Sequence, residues 1–458
     1  MILSIEKLIY GGDGLARTPP GPDGRSMAVF VPFVLPGESV EADIRQEKPG
    51  FARGTVTRLV ETSPERIAPG CPYFEKCGGC NYQHIRYEQQ LEIKVQILRE
   101  TFERVGKITL PDEIRLHPSP PWNYRNRTRL QVRTAFSVHP EDGQSGGSKK
   151  PEFALGYFRF GSHQFLPVRE CPISSPLINR AIARLTELGG LNCPAAVEEL
   201  ELFADAEDEH LLGWAFCRSD VGGKDPAGKN IGEKDLLSWA EAVRAELPTL
   251  TGLTFFPSRR RTEDDAPSNS KPLAHSGAVA IRYRTPQHDY QVSAGAFFQV
   301  NRHLVDELSA LITSGVSGEV GLDLYAGVGL FSVPLSHRIH HIFAVEASQT
   351  SFGDLRQNVP ASVKAVGALA EDYLRSRSVR IRPDLVVLDP PRTGAGKAVV
   401  RSLIELGAQH ICYVSCDPAT LARDLAPLLG AGYRIEKAHL FDMFPQTFHI
   451  ESVILLAR

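Results

Sequence analysis

Apolar residues along this chain follow three successive rhythms. Over residues 1–62, the strand-like runs Met27 to Val34 and Ser39 to Ile44 lie between and after the clusters Gly11-Gly12-Asp13-Gly14 and Gly21-Pro22-Asp23-Gly24. Glycine with Asp or Pro at such points turns the chain between strands. A small five-stranded barrel of the OB type, a scaffold that binds oligonucleotides, is expected there. From about Tyr87 to Val105 the period lengthens. Leu91, Val95, Leu98, Phe102 and Val105 recur at spacings of three and four, one face of a helix read here as core. Residues 115–290 are mixed and strand-rich, with linker-like stretches at Ser219 to Asp235 and Ser258 to Pro272 and a hairpin tip expected at His139 to Pro151. From about residue 291 strands alternate with helices, at 321–325, 341–346, 384–388, 410–415, 434–441 and 449–457. That alternation predicts a Rossmann-like doubly wound α/β sheet ending in an antiparallel pair. The domains are thus read as 1–62, a barrel; 63–290, a mixed α+β centre; and 291–458, the doubly wound sheet.

Composition adds little until the cysteines. With 458 residues, 42% apolar and 23% charged, the chain is ordinary for a globular protein of two to four domains. The start, Met1-Ile2-Leu3-Ser4-Ile5-Glu6-Lys7, has no signal-peptide core, and no apolar run is long enough to span a membrane. A cytoplasmic monomer with no membrane partner is expected. Eight cysteines in such a chain point to metal binding or catalysis rather than disulfides. The net charge of −3 is unremarkable, but residues 121–170 hold eight Lys or Arg against four Asp or Glu, a local +4 that suits RNA.

The run His410-Ile411-Cys412-Tyr413-Val414-Ser415-Cys416 reads as a buried parallel strand, and Asp417-Pro418 as a turn opening a helix. Cys416 is therefore expected at the carboxyl end of a strand, where open α/β sheets bind ligands. A helix N-terminus beside it would lower the thiol pKa.

Three other strand ends describe a cofactor site. Gly321-Leu322-Asp323-Leu324-Tyr325-Ala326-Gly327-Val328-Gly329 is a strand running into a glycine turn that permits close backbone approach. The next strand ends at Glu346, an acid placed to accept ribose hydroxyls. A third ends in Asp389-Pro390-Pro391-Arg392. The order D-x-x-x-G-x-G, acid, D-P-P suggests an S-adenosylmethionine fold. Amino-group methyltransferases usually follow D-P-P with an aromatic residue, whereas Arg392 stands here. A cytosine-5 enzyme would want a cysteine just after that strand, and none follows Asp389 before Cys412.

Cys71, Cys77 and Cys80, with Gly78-Gly79 between the last two, form a compact metal-binding motif, and Cys171 is the best fourth ligand. The residues alone leave open a four-cysteine zinc site or an iron–sulfur cluster. Cys193, Cys217 and Cys412 sit in apolar surroundings and read as core. In Tyr124-Arg125-Asn126-Arg127-Thr128-Arg129-Leu130-Gln131-Val132-Arg133, alternation sets Arg125, Arg127, Arg129 and Arg133 on one strand face, as a phosphate-binding row.

Taken together, the chain resembles the bacterial RNA uracil-5-methyltransferases. The resemblance rests on Cys71-x5-Cys77-Gly-Gly-Cys80, Phe298-Gln299-Val300-Asn301, Asp323 to Gly329, Asp389 to Arg392, Tyr413 to Cys416 and Met443-Phe444-Pro445-Gln446-Thr447-Phe448-His449-Ile450-Glu451. It implies an N-terminal TRAM barrel that binds RNA and a [4Fe–4S] cluster on Cys71, Cys77, Cys80 and Cys171. It implies S-adenosylmethionine contacts at Gln299, Tyr325, Gly327, Glu346 and Asp389. The barrel and the four cysteines favour the 23S rRNA branch of the family over the tRNA T-loop branch. Leu330, Ala368, Ala326 and Asp417 depart from residues common in relatives, which puts cofactor contacts at 330 and 368 in doubt.

The implied chemistry is covalent. A Cys416 thiolate adds to C6 of uracil and makes C5 nucleophilic; after methyl transfer, Glu451 removes the C5 proton and the thiolate leaves. The base must leave its stack, so a loop or remodelled RNA segment is the expected substrate. An RNA-binding or redox-sensing iron–sulfur protein without catalysis is the alternative from another class.

Overall fold

In the computed structural model, residues 1–20, 24–134, 153–218, 232–258, 271–377 and 382–458 are described. The hairpin tip expected at His139 to Pro151, and most of the stretches 219–235 and 258–272, lie outside them. The helix Glu233–Glu246 begins inside the first of those stretches.

Five strands, Ile2–Leu8, Asp13–Arg17, Ala28–Pro32, Ser39–Lys48 and Phe51–Glu61, close into a barrel. Alternate residues, among them Leu3, Ile5, Ala16, Val29, Val31, Val40 and Ala42, fill its interior. The central sheet has seven strands, with Arg127–Thr134 antiparallel to both Val197–Ala204 and Phe153–Phe158. Helices Pro176–Glu187 and Glu233–Glu246 pack through Leu177, Ile178, Leu185, Leu236 and Trp239 into the core of that sheet.

The third sheet holds eight strands. Their order is Val363–Gly367, Ile339–Glu346, Gly318–Leu324, Leu385–Leu388, His410–Ser415, Glu451–Ala457, Arg434–Phe441 and Ile114–His117. The first five are parallel, and Glu451–Ala457 runs antiparallel to both its neighbours. The six expected strands are present. Two more were not anticipated: Val363–Gly367, and Ile114–His117, which comes from the central segment and adds to the sheet edge parallel to Arg434–Phe441. The chain runs outward from Gly318–Leu324 to Val363–Gly367, then crosses back to Leu385–Leu388 on the other side. The crevice at that reversal is where open sheets of this kind bind ligands.

The helical stripe needs correction. The helix is Tyr87–Thr101, followed by a wider turn over Phe102–Gly106. Leu91, Leu98 and Phe102 are buried as expected, but Val95 is only half-buried and Val105 is exposed. Burial instead follows Gln90, Leu91, Ile93, Lys94, Ile97, Leu98 and Thr101, because two long polar side chains point inward with their ends bonded. Ile93, Ile97 and Leu98 share one core with Leu322, Leu425 and Leu440, and the barrel residues Leu8 and Leu35 join it. Helix, barrel edge and doubly wound sheet therefore pack around one apolar cluster.

Candidate active site

The sheet reversal gathers acids. Leu324 ends its strand, and Tyr325 follows with φ 65, a left-handed conformation costly for a bulky residue and characteristic of functional turns. Gly327, φ 57, and Gly329, φ 98, continue the turn. A Cβ on Gly329 would lie 3.0 Å from Leu355, so close packing as well as conformation selects glycine there. Glu346 accepts from the N–H groups of Gly327 at 2.8 Å and Ser348 at 2.6 Å. The acid expected to meet a ribose thus also braces the glycine turn. Gln299 donates from Nε2 to Oδ2 of Asp389 at 3.1 Å. Asp323 is fully buried and accepts from the Ser332 hydroxyl at 2.5 Å. Burial raises the carboxyls of Asp323 and Asp389 to about 7, each with a further push from a neighbouring acid. Of the five residues expected to meet a cofactor, Gln299 and Asp389 touch, as do Gly327 and Glu346, and all lie around one end of the sheet.

Register brings Cys416 and Glu451 together. Ser415 pairs with Ser452 across the antiparallel ladder, so one step further Cys416 lies beside Glu451. Burial raises the Cys416 thiol to about 12, the nearby Glu451 and Asp389 add to this, and Arg392 opposes them. The expected lowering by a helix N-terminus is not what the structure has. Asp417 caps the helix Pro418–Gly430, its Oδ1 accepting from the N–H groups of Ala419 at 3.0 Å and Thr420 at 2.8 Å, so a carboxylate and not the thiol receives them. Glu451 is buried, and its carboxyl is raised by burial and by Asp389. A carboxylate so placed is a stronger base than one in water.

The loop after Asp389 is fixed to the same helix. The Thr420 hydroxyl donates to the Arg392 carbonyl at 3.1 Å, and the Arg423 guanidinium to that of Thr393 at 2.8 Å. Sequence reasoning missed Tyr10. This barrel residue donates its hydroxyl to the Cys416 carbonyl at 3.2 Å and meets the Phe448 ring edge-on at 5.5 Å. Its signal was present only as an aromatic residue before the first glycine turn.

The four cysteines come together through the central sheet. Gly78 donates to the Phe158 carbonyl at 3.1 Å, and Phe160 to that of Lys76 at 2.8 Å, laying the loop along the hairpin that leads to Cys171. Burial raises the thiols of Cys71, Cys77 and Cys80, and Cys171 raises each of them further. The donor set thus suits a thiolate-bound metal in kind. Among the described residues, however, no group of three or more His, Cys, Asp or Glu is close enough to hold a metal ion. The thiols are gathered but not drawn in to ligand spacing.

The arginine row requires correction. Arg127 is buried, donates to Glu201 at 2.5 Å and to the Ala296 carbonyl at 2.7 Å, and lies 4.7 Å from the Trp214 ring centre. Arg129 donates to the other oxygen of Glu201 at 2.7 Å. Gln131 bonds Glu199 at 2.6 Å. The facing strand Val197–Ala204 supplies these acids in register, so Arg127 and Arg129 are not a bare phosphate-binding row. Arg125 and Arg133 are half-buried.

Comparison with known proteins places these features in context. Residues 279–458 match the family model for tRNA (uracil-5-)-methyltransferase, and residues 3–57 that for the TRAM domain. The chain is 34% identical to the 23S rRNA (uracil(1939)-C(5))-methyltransferase RlmD of Chromohalobacter salexigens, over 100% of this chain and 89% of that protein. It is 30% identical to an uncharacterized RNA methyltransferase of Caldanaerobacter subterraneus, over 100% and 97%. Its fold is similar to that of the Pyrococcus abyssi tRNA (uracil-54, C5)-methyltransferase solved with S-adenosyl-L-homocysteine, with a TM-score of 0.71, 24% identity and 100% coverage of both chains.

Proposed function

The chain belongs to the RNA uracil-5-methyltransferase family, and we propose that it transfers a methyl group from S-adenosylmethionine to C5 of a uridine in 23S rRNA. The observation that carries this reading is the position of Cys416 next to Glu451 at the end of the sheet, with Asp389 close enough to raise both groups. The relative named for 23S rRNA, matched along the whole chain, supports the rRNA substrate. The fold neighbour named for tRNA keeps the T-loop uridine as the second reading.

In this reading the Cys416 sulfur bonds to C6 as its proton passes to a nearby carboxylate, for which Asp389 is the candidate. The electron pair of the C5–C6 bond moves onto C5 and its enolate oxygen. C5 then takes the methyl group as the sulfonium carbon–sulfur bond breaks, leaving S-adenosylhomocysteine. Glu451 accepts the C5 proton, the double bond re-forms and the carbon–sulfur bond to Cys416 breaks. Gln299, Tyr325, Gly327, Glu346 and Asp389 line the proposed methyl-donor site. Phosphate contact stays proposed for Arg125 and Arg133. The barrel offers a further RNA surface.

We further propose a [4Fe–4S] cluster on Cys71, Cys77, Cys80 and Cys171, joining two segments of the chain, with no step of methyl transfer assigned to it. Protein purified without oxygen should then be brown and hold about four irons per chain. Colourless protein with one zinc would contradict the cluster and leave the uracil chemistry standing. The substrate is tested by mass-spectrometric mapping of 5-methyluridine in rRNA and tRNA from a strain lacking the gene. Loss from 23S rRNA alone is expected. Loss from tRNA alone would exchange the first reading for the second.

A further inference from the structure

The loop that delivers Glu451 has bonds of its own, Thr447 to the Phe444 carbonyl and His449 to the Thr447 hydroxyl, but at Gln446 it is held from outside. Gln446 lies in it with φ 68, a left-handed conformation unusual for a residue other than glycine. Its N–H donates to Oε1 of Gln90 at 3.0 Å, and its own Oε1 accepts from Nε2 of Gln90 at 3.0 Å. The two glutamines therefore bond reciprocally, side chain to side chain and side chain to backbone. The Gln446 carbonyl accepts from the N–H groups of Asn81 at 3.0 Å and Tyr82 at 2.9 Å, the two residues directly after Cys80. Nε2 of Gln90 also reaches the carbonyls of Tyr82 at 3.1 Å and Ile85 at 2.9 Å. Gln90 is fully buried and Gln446 nearly so. One helical turn beyond Gln90, the buried Lys94 donates to Asp442 at 2.6 Å and to the Phe444 carbonyl at 3.0 Å.

We infer that Gln90 and Gln446 form a clasp through which the cysteine-bearing loop positions Glu451 for proton removal from C5. The inference rests on the proposed role of Glu451 and adds positioning residues to it. A strained, buried loop residue keeps its conformation only where its surroundings over-determine it. Here the surroundings are residues 81–90, and Glu451 stands five positions after Gln446, at the first residue of its strand. Neither glutamine touches a reacting atom. The clasp would affect the last step most, because Glu451 must meet the C5 proton of an adduct already fixed on Cys416. Displacement of such a group by about 1 Å can cost roughly 100-fold in rate.

The test uses full-length Gln90→Met, which removes both reciprocal bonds, and Gln446→Gly, which suits the positive φ and keeps the carbonyl that Asn81 and Tyr82 hold. Each is incubated with S-adenosylmethionine and a 23S rRNA fragment, and covalent protein–RNA adduct and 5-methyluridine are followed on denaturing gels and by mass spectrometry. KM for both substrates should stay within about 2-fold, kcat should fall roughly 10-fold or more, and methylated adduct should accumulate, as is expected of Glu451→Gln. Adduct from Glu451→Gln without accumulation in Gln446→Gly would overturn the clasp alone. Equal losses in binding, adduct formation and release would reduce it to a general packing contact and overturn it too. No adduct from Glu451→Gln would instead overturn the role of the base.

Discussion

Cys416 is insulated in the free protein. Burial and the acids Glu451 and Asp389 hold its thiol at about 12, so little thiolate exists near neutrality. Alkylation of Cys416 by iodoacetamide, followed by peptide mass spectrometry, should therefore be slow at pH 8 and rise steadily as the pH climbs. Glu451→Gln removes a negative neighbour that raises the thiol pKa, so it should move the whole profile to lower pH. A profile that levels off near pH 9 in the wild type, or one unmoved by Glu451→Gln, would contradict this electrostatic account. The residue types at this site were legible in the sequence, because cysteine, acid and glycine stand at strand ends where parallel sheets expose them. The direction of the thiol shift was not. It depends first on the burial of Cys416 in the folded chain and then on Glu451 arriving by antiparallel register, and neither is a property of the local sequence.

Among the elements, the strand Arg127–Thr134 shows how an alternation can be read correctly and interpreted wrongly. Its arginines do share a face, but Val197–Ala204 lies against it with Glu199 and Glu201 opposite. A single strand cannot reveal which charges its neighbour will bring. Arg127→Ala should consequently act on stability more than on RNA affinity, since it leaves Glu201 buried with one cation fewer. A loss of about 3–5 kcal/mol by denaturant unfolding is expected, with the salt dependence of RNA binding preserved. A stable variant with a flattened salt slope would restore the phosphate-binding reading. The missed strands have equally local causes. Val363–Gly367 buries only Val363, and Ile114–His117 buries none of its residues fully, so neither carries a clear apolar alternation.

At the scale of the whole molecule, the boundaries read at residues 62 and 290 separate the sequence more cleanly than they separate the structure. Leu8 and Leu35 of the barrel, Ile93 and Leu98 of the helix, and Leu440 of the strand Arg434–Phe441 belong to one core. Tyr10 carries the barrel to the Cys416 carbonyl, and residues 81–90 carry the cysteine loop to Gln446. Hydrophobic period and turn chemistry identify modules, but docking between modules uses buried polar groups such as Gln90 and Lys94 that a periodic reading assigns to the surface. The candidate active site is thus a junction of three segments around a doubly wound sheet, and the chemistry proposed for it is covalent catalysis by Cys416. The most direct measurement incubates Glu451→Gln with S-adenosylmethionine and a 23S rRNA fragment, digests the RNA and protein, and weighs the peptide containing Cys416. The account predicts a methylated uridine nucleotide attached at Cys416, absent from Cys416→Ala, which should also form no 5-methyluridine. An unmodified Cys416 peptide, together with 5-methyluridine formed by the Cys416→Ala protein, would contradict it.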